Sequence, residues 1–303
     1  MHRILHIGAN KTASTTLQRQ YFCKSDALEY LGEDCFDYLE HRDALNSLVA
    51  DDDIHFDSTR IKEIFSRFLA RRPDRTHLFS NEDIMTGRLP TVCADRLKGL
   101  LGEATVLLVI RNQVSALESW YANHGAYLKQ VPRRYWRRYV AFEDWASYCF
   151  DFMNYSVLDS YFYHRFISLY ADRFGKENVR ILMFEDLIRD PKKFIGELCS
   201  VLKTDPEEAT RLLAGKKDRR RNTHREYLYH KFRGRFFPSI HFSSIPGGKL
   251  LARGLTSFLS KGRPAGGYMT QSWKEKFADL YREDNRKLAK EYNLPLGEAG
   301  YPI

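Results

Sequence analysis

The residues best equipped for chemistry sit near the start of the chain, in His6-Ile7-Gly8-Ala9-Asn10-Lys11-Thr12-Ala13-Ser14-Thr15-Thr16-Leu17-Gln18. An apolar run there passes through a small-residue loop into a row of hydroxyl side chains, the pattern of a strand, a loop and a helix capped by Ser14. Backbone N–H groups at a helix start have no intrahelical acceptor and carry the positive end of the dipole, so together with a loop lysine they suit a phosphate. The spacing is not that of a Walker A loop, because only two residues separate Gly8 from Lys11 and an asparagine precedes the lysine. A hydroxyl-rich helix cap beside an exposed lysine is the plainer reading of the same residues.

A second anion site is suggested by Arg111, which follows the apolar run Val106 to Ile110. The end of a parallel strand is where open α/β sheets bind ligands, and a guanidinium there can fork a second phosphate. Ser115 and Ser119 are i and i+4 on the helix that follows, so Ser119 can add a hydroxyl from the same groove. A salt-bridged arginine with a solvated serine face is the alternative.

Transfer to a hydroxyl also needs a proton acceptor. Glu82 ends Leu78-Phe79-Ser80-Asn81-Glu82, at the sheet edge expected for Lys11, and is the first choice. Helix capping or arginine pairing would explain it equally. His124 is the second choice, whereas His6 lies within the first strand and reads as structural. No other histidines show ligand spacing, so no metal is expected.

These groups need a sheet to hold them. Arg3 to Gly8, Thr76 to Ser80, Thr105 to Ile110 and Asn178 to Phe184 read as buried parallel strands, with helical patterns between them. The alternation predicts a single α/β domain over residues 1–303, with a central parallel β-sheet flanked by helices. Its core covers about residues 1–215. Asp190-Pro191 opens a helix ending near Thr204. A basic, aromatic stretch from Lys216 to Arg235 and a Gly/Pro/Ser-rich one to Gly267 read as an insertion or lid, and Ser272 to Tyr292 as a closing amphipathic helix.

Composition narrows the class. With 303 residues, 43% of them hydrophobic and 29% charged, the chain supports a real core and is neither collagen-like nor largely disordered. Its apolar runs fall far short of the roughly 20 residues that span a bilayer. The first residues lack the pattern of a secretory leader. Five cysteines without a CxxC pair suggest neither zinc nor a disulfide framework, so a reducing, cytoplasmic setting is expected. The net charge of +9 favours anionic ligands: nucleic acid, nucleotide, acidic glycan and membrane surface all fit it.

Taken together, these stretches resemble the sulfotransferases that use 3′-phosphoadenosine 5′-phosphosulfate (PAPS). His6 to Gln18 is similar to the family's 5′-phosphosulfate loop, and Arg111 with Ser119 to its 3′-phosphate motif. Val179 to Pro191 resembles the strand and turn before a late helix. Leu280-Tyr281-Arg282-Glu283-Asp284-Asn285-Arg286-Lys287-Leu288 resembles the closing helix of carbohydrate sulfotransferases and their bacterial relatives. The resemblance implies a P-loop-like sulfotransferase fold and transfer of a sulfuryl group from PAPS to a hydroxyl, with a glycan or glycoconjugate as the expected acceptor and 3′,5′-ADP (PAP) as product. It implies that Lys11 holds the sulfuryl group and bridging oxygen, and that Thr12, Ala13, Ser14, Thr15 and Thr16 surround the 5′-phosphate. Arg111 and Ser119 would take the 3′-phosphate, with Arg221 in a segment that closes over the nucleotide.

Two positions depart from the family pattern. Ala13 replaces a common glycine, which is tolerable only where the backbone does not need a positive φ. Thr16 replaces the adenine-stacking tryptophan of the cytosolic small-molecule branch. Aromatics and arginines in Tyr127 and Arg133 to Arg138 suit an acceptor groove. A nucleotide-dependent kinase and a polyanion- or RNA-binding module are the competing classes, although no nucleic-acid motif supports the latter. Peripheral contact with a membrane stays open.

Overall fold

The computed structural model describes residues 2–32, 35, 39–124, 140–153, 156–214, 223–236, 248–263 and 266–303. Five strands form its sheet: β1 (His2–Gly8), β2 (Leu28–Gly32), β3 (Thr76–Ser80), β4 (Thr105–Ile110) and β5 (Val179–Met183). All neighbours pair in parallel, in the order β2-β3-β1-β4-β5. The four strands expected from the apolar runs are present. β2 was not anticipated, because Glu29 interrupts its apolar residues; in the fold Glu29 is buried at the sheet edge with Arg72 Nε 3.7 Å from its carboxylate.

Each face of the sheet has its own cover. Ile4, Leu78, Leu107, Val109 and Leu182 share a core with Leu17, Tyr21 and Phe22 and with Phe194, Leu198 and Leu202. The first of those helical segments begins as the short turn α1 (Ser14–Thr16) and widens into a π-helix over Leu17–Phe22. In chain order α2 (Arg42–Ala50), α3 (Ser58–Ala70), α4 (Pro90–Leu101), α5 (Gln113–His124), α6 (Phe142–Asp151), α7 (Tyr163–Phe174), α8 (Phe184–Arg189), α9 (Pro191–Leu202) and α10 (Pro206–Leu213) follow. α3 brings Phe65 to 5.0 Å from Phe79 and Phe68 to 5.3 Å from His77, ring to ring. α9 and α10 each begin with proline after a capping aspartate, Asp190 and Asp205, whose carboxylates accept first-turn N–H bonds. No described helix is long and apolar enough to cross a membrane.

The chain divides into two compact units. The sheet unit holds residues Met1–Gln113, Asp159–Asp218 and Asp279–Ile303; the other holds Val114–Leu158 and Arg219–Ala278. The second unit includes most of α5, all of α6, α11 (His224–Phe236) and α12 (Gly248–Leu259), and the start of α13 (Gln271–Tyr292). Its interior is aromatic: Tyr121 lies 5.1 Å from Phe142 and 5.4 Å from both Trp145 and Tyr268, and Phe150 stacks on Phe277 at 5.4 Å. Tyr121 also donates its hydroxyl to the Val140 carbonyl at 2.7 Å, so its polar end is satisfied in the core.

Candidate active site

β3, β1 and β4 are neighbours, and Glu82, Lys11 and Arg111 follow their ends on one edge. Sheet order reverses between β1 and β4, the switch point at which α/β sheets leave a crevice for ligands. Arg111 is only 8% exposed, and its Nη1 donates to the Lys11 carbonyl at 2.8 Å. Its guanidinium carbon lies 4.5 Å from the Phe184 ring centroid. A solvated surface arginine would make neither contact.

The Arg111 backbone is held just as firmly. Tyr163 donates its hydroxyl to the Arg111 carbonyl at 2.8 Å and accepts from the Arg111 N–H at 3.2 Å. Glu185 accepts from the Asn112 N–H at 3.0 Å with one oxygen and from the Tyr301 hydroxyl at 2.8 Å with the other.

The loop after β1 has an unusual backbone. Lys11 and Ala13 take left-handed conformations, with φ of 69° and 68°, and Thr12 between them does not. Positive φ at alternate residues is the kind of backbone that can gather successive N–H groups around an anion. Three consecutive carbonyls are fixed by donors: Ala9 by the hydroxyls of Thr12 at 2.6 Å and Ser14 at 3.3 Å, Asn10 by Tyr161 at 3.0 Å, and Lys11 by Arg111. Gly8 is required for close approach, since a Cβ there would sit 2.5 Å from Ser14 Oγ.

Two expectations are corrected here. Ser14 does not cap the helix: Ala13 occupies the cap position without a side-chain bond, and the Ser14 hydroxyl turns back to Ala9 because that carbonyl lies beneath it. Ala13 does adopt a positive φ. The left-handed state disfavours any Cβ by about 1–2 kcal/mol, and the carbonyls of Lys11 and Ala13, bonded by Arg111 and by the Thr16 N–H, hold it there.

Glu82 opens a 3₁₀ turn, Glu82–Met85, capped by Asn81, whose side chain accepts from the Asp83 N–H at 2.8 Å. Thr15 donates its hydroxyl to Glu82 Oε1 at 3.3 Å, which ties the carboxylate to the helix that follows the β1 loop. Thr16 is half-buried, and its N–H bonds the Ala13 carbonyl at 2.9 Å. Burial pushes the Tyr161 phenol well above its ordinary pKa, with Arg111 opposing and Glu82 adding to the shift, so all three groups lie within electrostatic reach.

Below the loop, Ser80 Oγ lies 2.7 Å from His6 Nδ1 and accepts from Gln18 Nε2 at 3.0 Å. The two bonds hold the imidazole and the Gln18 amide on one hydroxyl beneath the loop. Burial lowers the His6 pKa to about 4, keeping it neutral.

The sheet unit thus brings together Lys11, Thr12, Ala13, Ser14, Thr15, Thr16, Glu82 and Arg111. Ser119, half-buried on α5, and His124 at its end belong to the second unit. Arg221, Tyr127 and Arg133 to Arg138 lie outside the described residues.

Tyr161, Tyr163 and Glu185 escaped sequence reasoning. Only their fold neighbours reveal them, for nothing in the spacing of Tyr161-Phe162-Tyr163 points 150 residues upstream to Asn10. The motif at 280–288 has a structural use: Asp284 accepts the His164 N–H at 2.8 Å at the start of α7, and Asn285 pairs its amide with Gln113 at 2.7 Å.

Comparison with known proteins bears on the fold and the family. A sulfotransferase from Alicyclobacillus acidocaldarius superposes with a TM-score of 0.57 at 14% identity, covering 99% of this chain and 98% of its own. A mouse sulfotransferase solved with PAP gives a TM-score of 0.49 at 14% identity, covering 96% and 88%. No curated protein sequence matches the chain. Residues 98–288, more than half of the length, match the family described as the sulfotransferase domain. The chain belongs to the PAPS-dependent sulfotransferase family.

Proposed function

We propose that this enzyme sulfates a hydroxyl of a carbohydrate or glycoconjugate, using Lys11, Thr15, Arg111 and Glu82 as its working groups. The observation that carries the reading is the 2.8 Å bond from Arg111 to the Lys11 carbonyl, which joins the two anion-binding segments at one switch point. The donor fits the residues present: a lysine in a loop with two positive-φ residues and a buried arginine bonded to that loop suit two phosphate termini.

PAPS, when bound, supplies a sulfuryl group on a phosphate leaving group, chemistry close to phosphoryl transfer. The Lys11 ammonium neutralises charge gathering on the leaving oxygen, and the Thr12 to Thr16 backbone orients the 5′-phosphate. Arg111 takes the 3′-phosphate, and the family resemblance assigns Ser119 and Arg221 to the same nucleotide. Glu82 accepts the hydroxyl proton of the acceptor, held in line by the Thr15 hydroxyl on Oε1. His124 is the alternative base. The carbohydrate acceptor is supported by Thr16 in place of a stacking tryptophan and by the resemblance of Leu280 to Leu288 to carbohydrate sulfotransferases.

Calorimetric titration with 3′,5′-ADP, 5′-AMP and ATP tests the donor side. Tighter binding of 3′,5′-ADP without magnesium, weakened at least tenfold by Arg111→Ala (about 1.4 kcal/mol), is expected. Equal affinity for 5′-AMP, or magnesium-dependent preference for ATP, refutes it. Glu82→Gln is expected to retain 3′,5′-ADP binding and lose turnover, and retained turnover transfers the base role to His124. A glycan panel read by mass spectrometry for a sulfate increment tests the acceptor class.

A further inference from the structure

The net positive charge of this protein comes from one segment. Residues 216–267 carry 13 Lys and Arg against two Asp and Glu, a net of +11, so the rest of the chain, within a total of +9, is −2. The segment therefore accounts for the whole basic character of the molecule.

Helix α11, inside that segment, presents an unusual exposed face. Leu228, Phe232 and Phe236, at i, i+4 and i+8, are 49%, 57% and 59% exposed. Its other exposed residues are Arg225, Lys231 and Arg235, so an apolar row lies beside cations. The helix's single acid, Glu226, is taken up by the Thr223 N–H at 2.7 Å in a capping box that starts the helix. On α12, Phe258 is 59% exposed, with the Arg225 guanidinium 4.7 Å from its ring, and Lys261 and Arg263 follow, both exposed.

We propose that this face binds the surface of an anionic membrane. Exposed apolar side chains beside lysine and arginine can enter the headgroup layer while the cations stay at its surface. The cations supply attraction to acidic headgroups, about fivefold in affinity for each one near the surface. A polyanion alone would pair with these charges and leave Leu228, Phe232 and Phe236 in water, so the apolar row is what favours a lipid surface. No described helix offers a membrane span, and this contact is peripheral.

Vesicle flotation of the full chain tests the assignment. Phosphatidylcholine vesicles with about 30% phosphatidylglycerol should bind, phosphatidylcholine alone should not, and binding should weaken as salt rises from about 0.1 to 0.5 M. The triple change Leu228→Ser, Phe232→Ser, Phe236→Ser, which leaves the charge unaltered, should lower partitioning about tenfold or more. Lys231→Gln with Arg235→Gln should lower it by a similar factor with the apolar row intact. Unchanged 3′,5′-ADP affinity in both variants shows that the fold is preserved. Failure to bind the acidic vesicles overturns the proposal. So does binding of single-stranded RNA that the serine variant leaves untouched, or a dimer in sedimentation that the serine variant dissolves.

Discussion

Replacing Ala13 with glycine offers a sharp test of the loop, because stabilisation by glycine occurs only where the backbone is left-handed. Ala13 has a φ of 68°. Alanine in that conformation is disfavoured by about 1–2 kcal/mol, a cost that glycine does not incur. Glycine in turn loosens the unfolded chain, which costs about 0.4–1 kcal/mol. The balance predicts that Ala13→Gly is neutral to about 1.5 kcal/mol stabilising. The β-branched Ala13→Val should cost more than alanine does, about 2 kcal/mol or more, since its side chain meets the same carbonyl with greater bulk. Urea unfolding of the free protein, with the slope m compared among the three, reads both values. Affinity for 3′,5′-ADP should change by no more than a few-fold in Ala13→Gly, because the anchors on Asn10 and Lys11 persist. Destabilisation by glycine together with tolerance of valine would show that residue 13 is not left-handed.

Tyr161→Phe removes the donor to the Asn10 carbonyl and should cost about 1–3 kcal/mol of stability, with a several-fold weaker 3′,5′-ADP complex by calorimetry. An unchanged complex would mean that the tyrosine serves packing alone. For His6, burial lowers the folded pKa to about 4 from 6.5, so the unfolded state takes the proton first as pH falls. The stability owed to neutral His6 is full above pH 6.5 and is lost toward pH 4, by roughly 3 kcal/mol in all. Urea unfolding between those limits should show this slope in the wild type and a flatter one in His6→Gln.

What could be read from the residues divides along a physical line. Continuous apolar runs announce buried parallel strands, so four of the five strands and the edge at which Lys11, Glu82 and Arg111 meet were legible. β2 was not, since Glu29 sits inside it and is accommodated by Arg72 across the edge. The hydroxyls after Lys11 signalled an anion loop, but their individual roles depend on peptide-plane orientation. Thr12 and Ser14 turned out to bond Ala9, while Thr15 reaches Glu82. The clamps from Tyr161 and Tyr163 join residues 151 and 52 positions apart, and no local pattern encodes such pairs. Asp284 and Asn285, conspicuous in a family-like motif, prove to brace α7 and Gln113.

The two left-handed residues also bear on how the site works. Lys11 and Ala13 together cost about 2–4 kcal/mol of backbone energy. Hydrogen bonds from Thr12 and Tyr161 contribute about 1 kcal/mol each, and the charged bond from Arg111 about 1.5–3 kcal/mol, which is enough to offset it. The strained loop is therefore held by contacts already made in the free protein. A ligand need not supply the ordering energy, so its binding can go into orienting the transferring group. Under the proposed reading Arg111 performs two tasks, completing the loop through the Lys11 carbonyl and taking the 3′-phosphate. Lysine, with a single compact ammonium, cannot hold both positions at once.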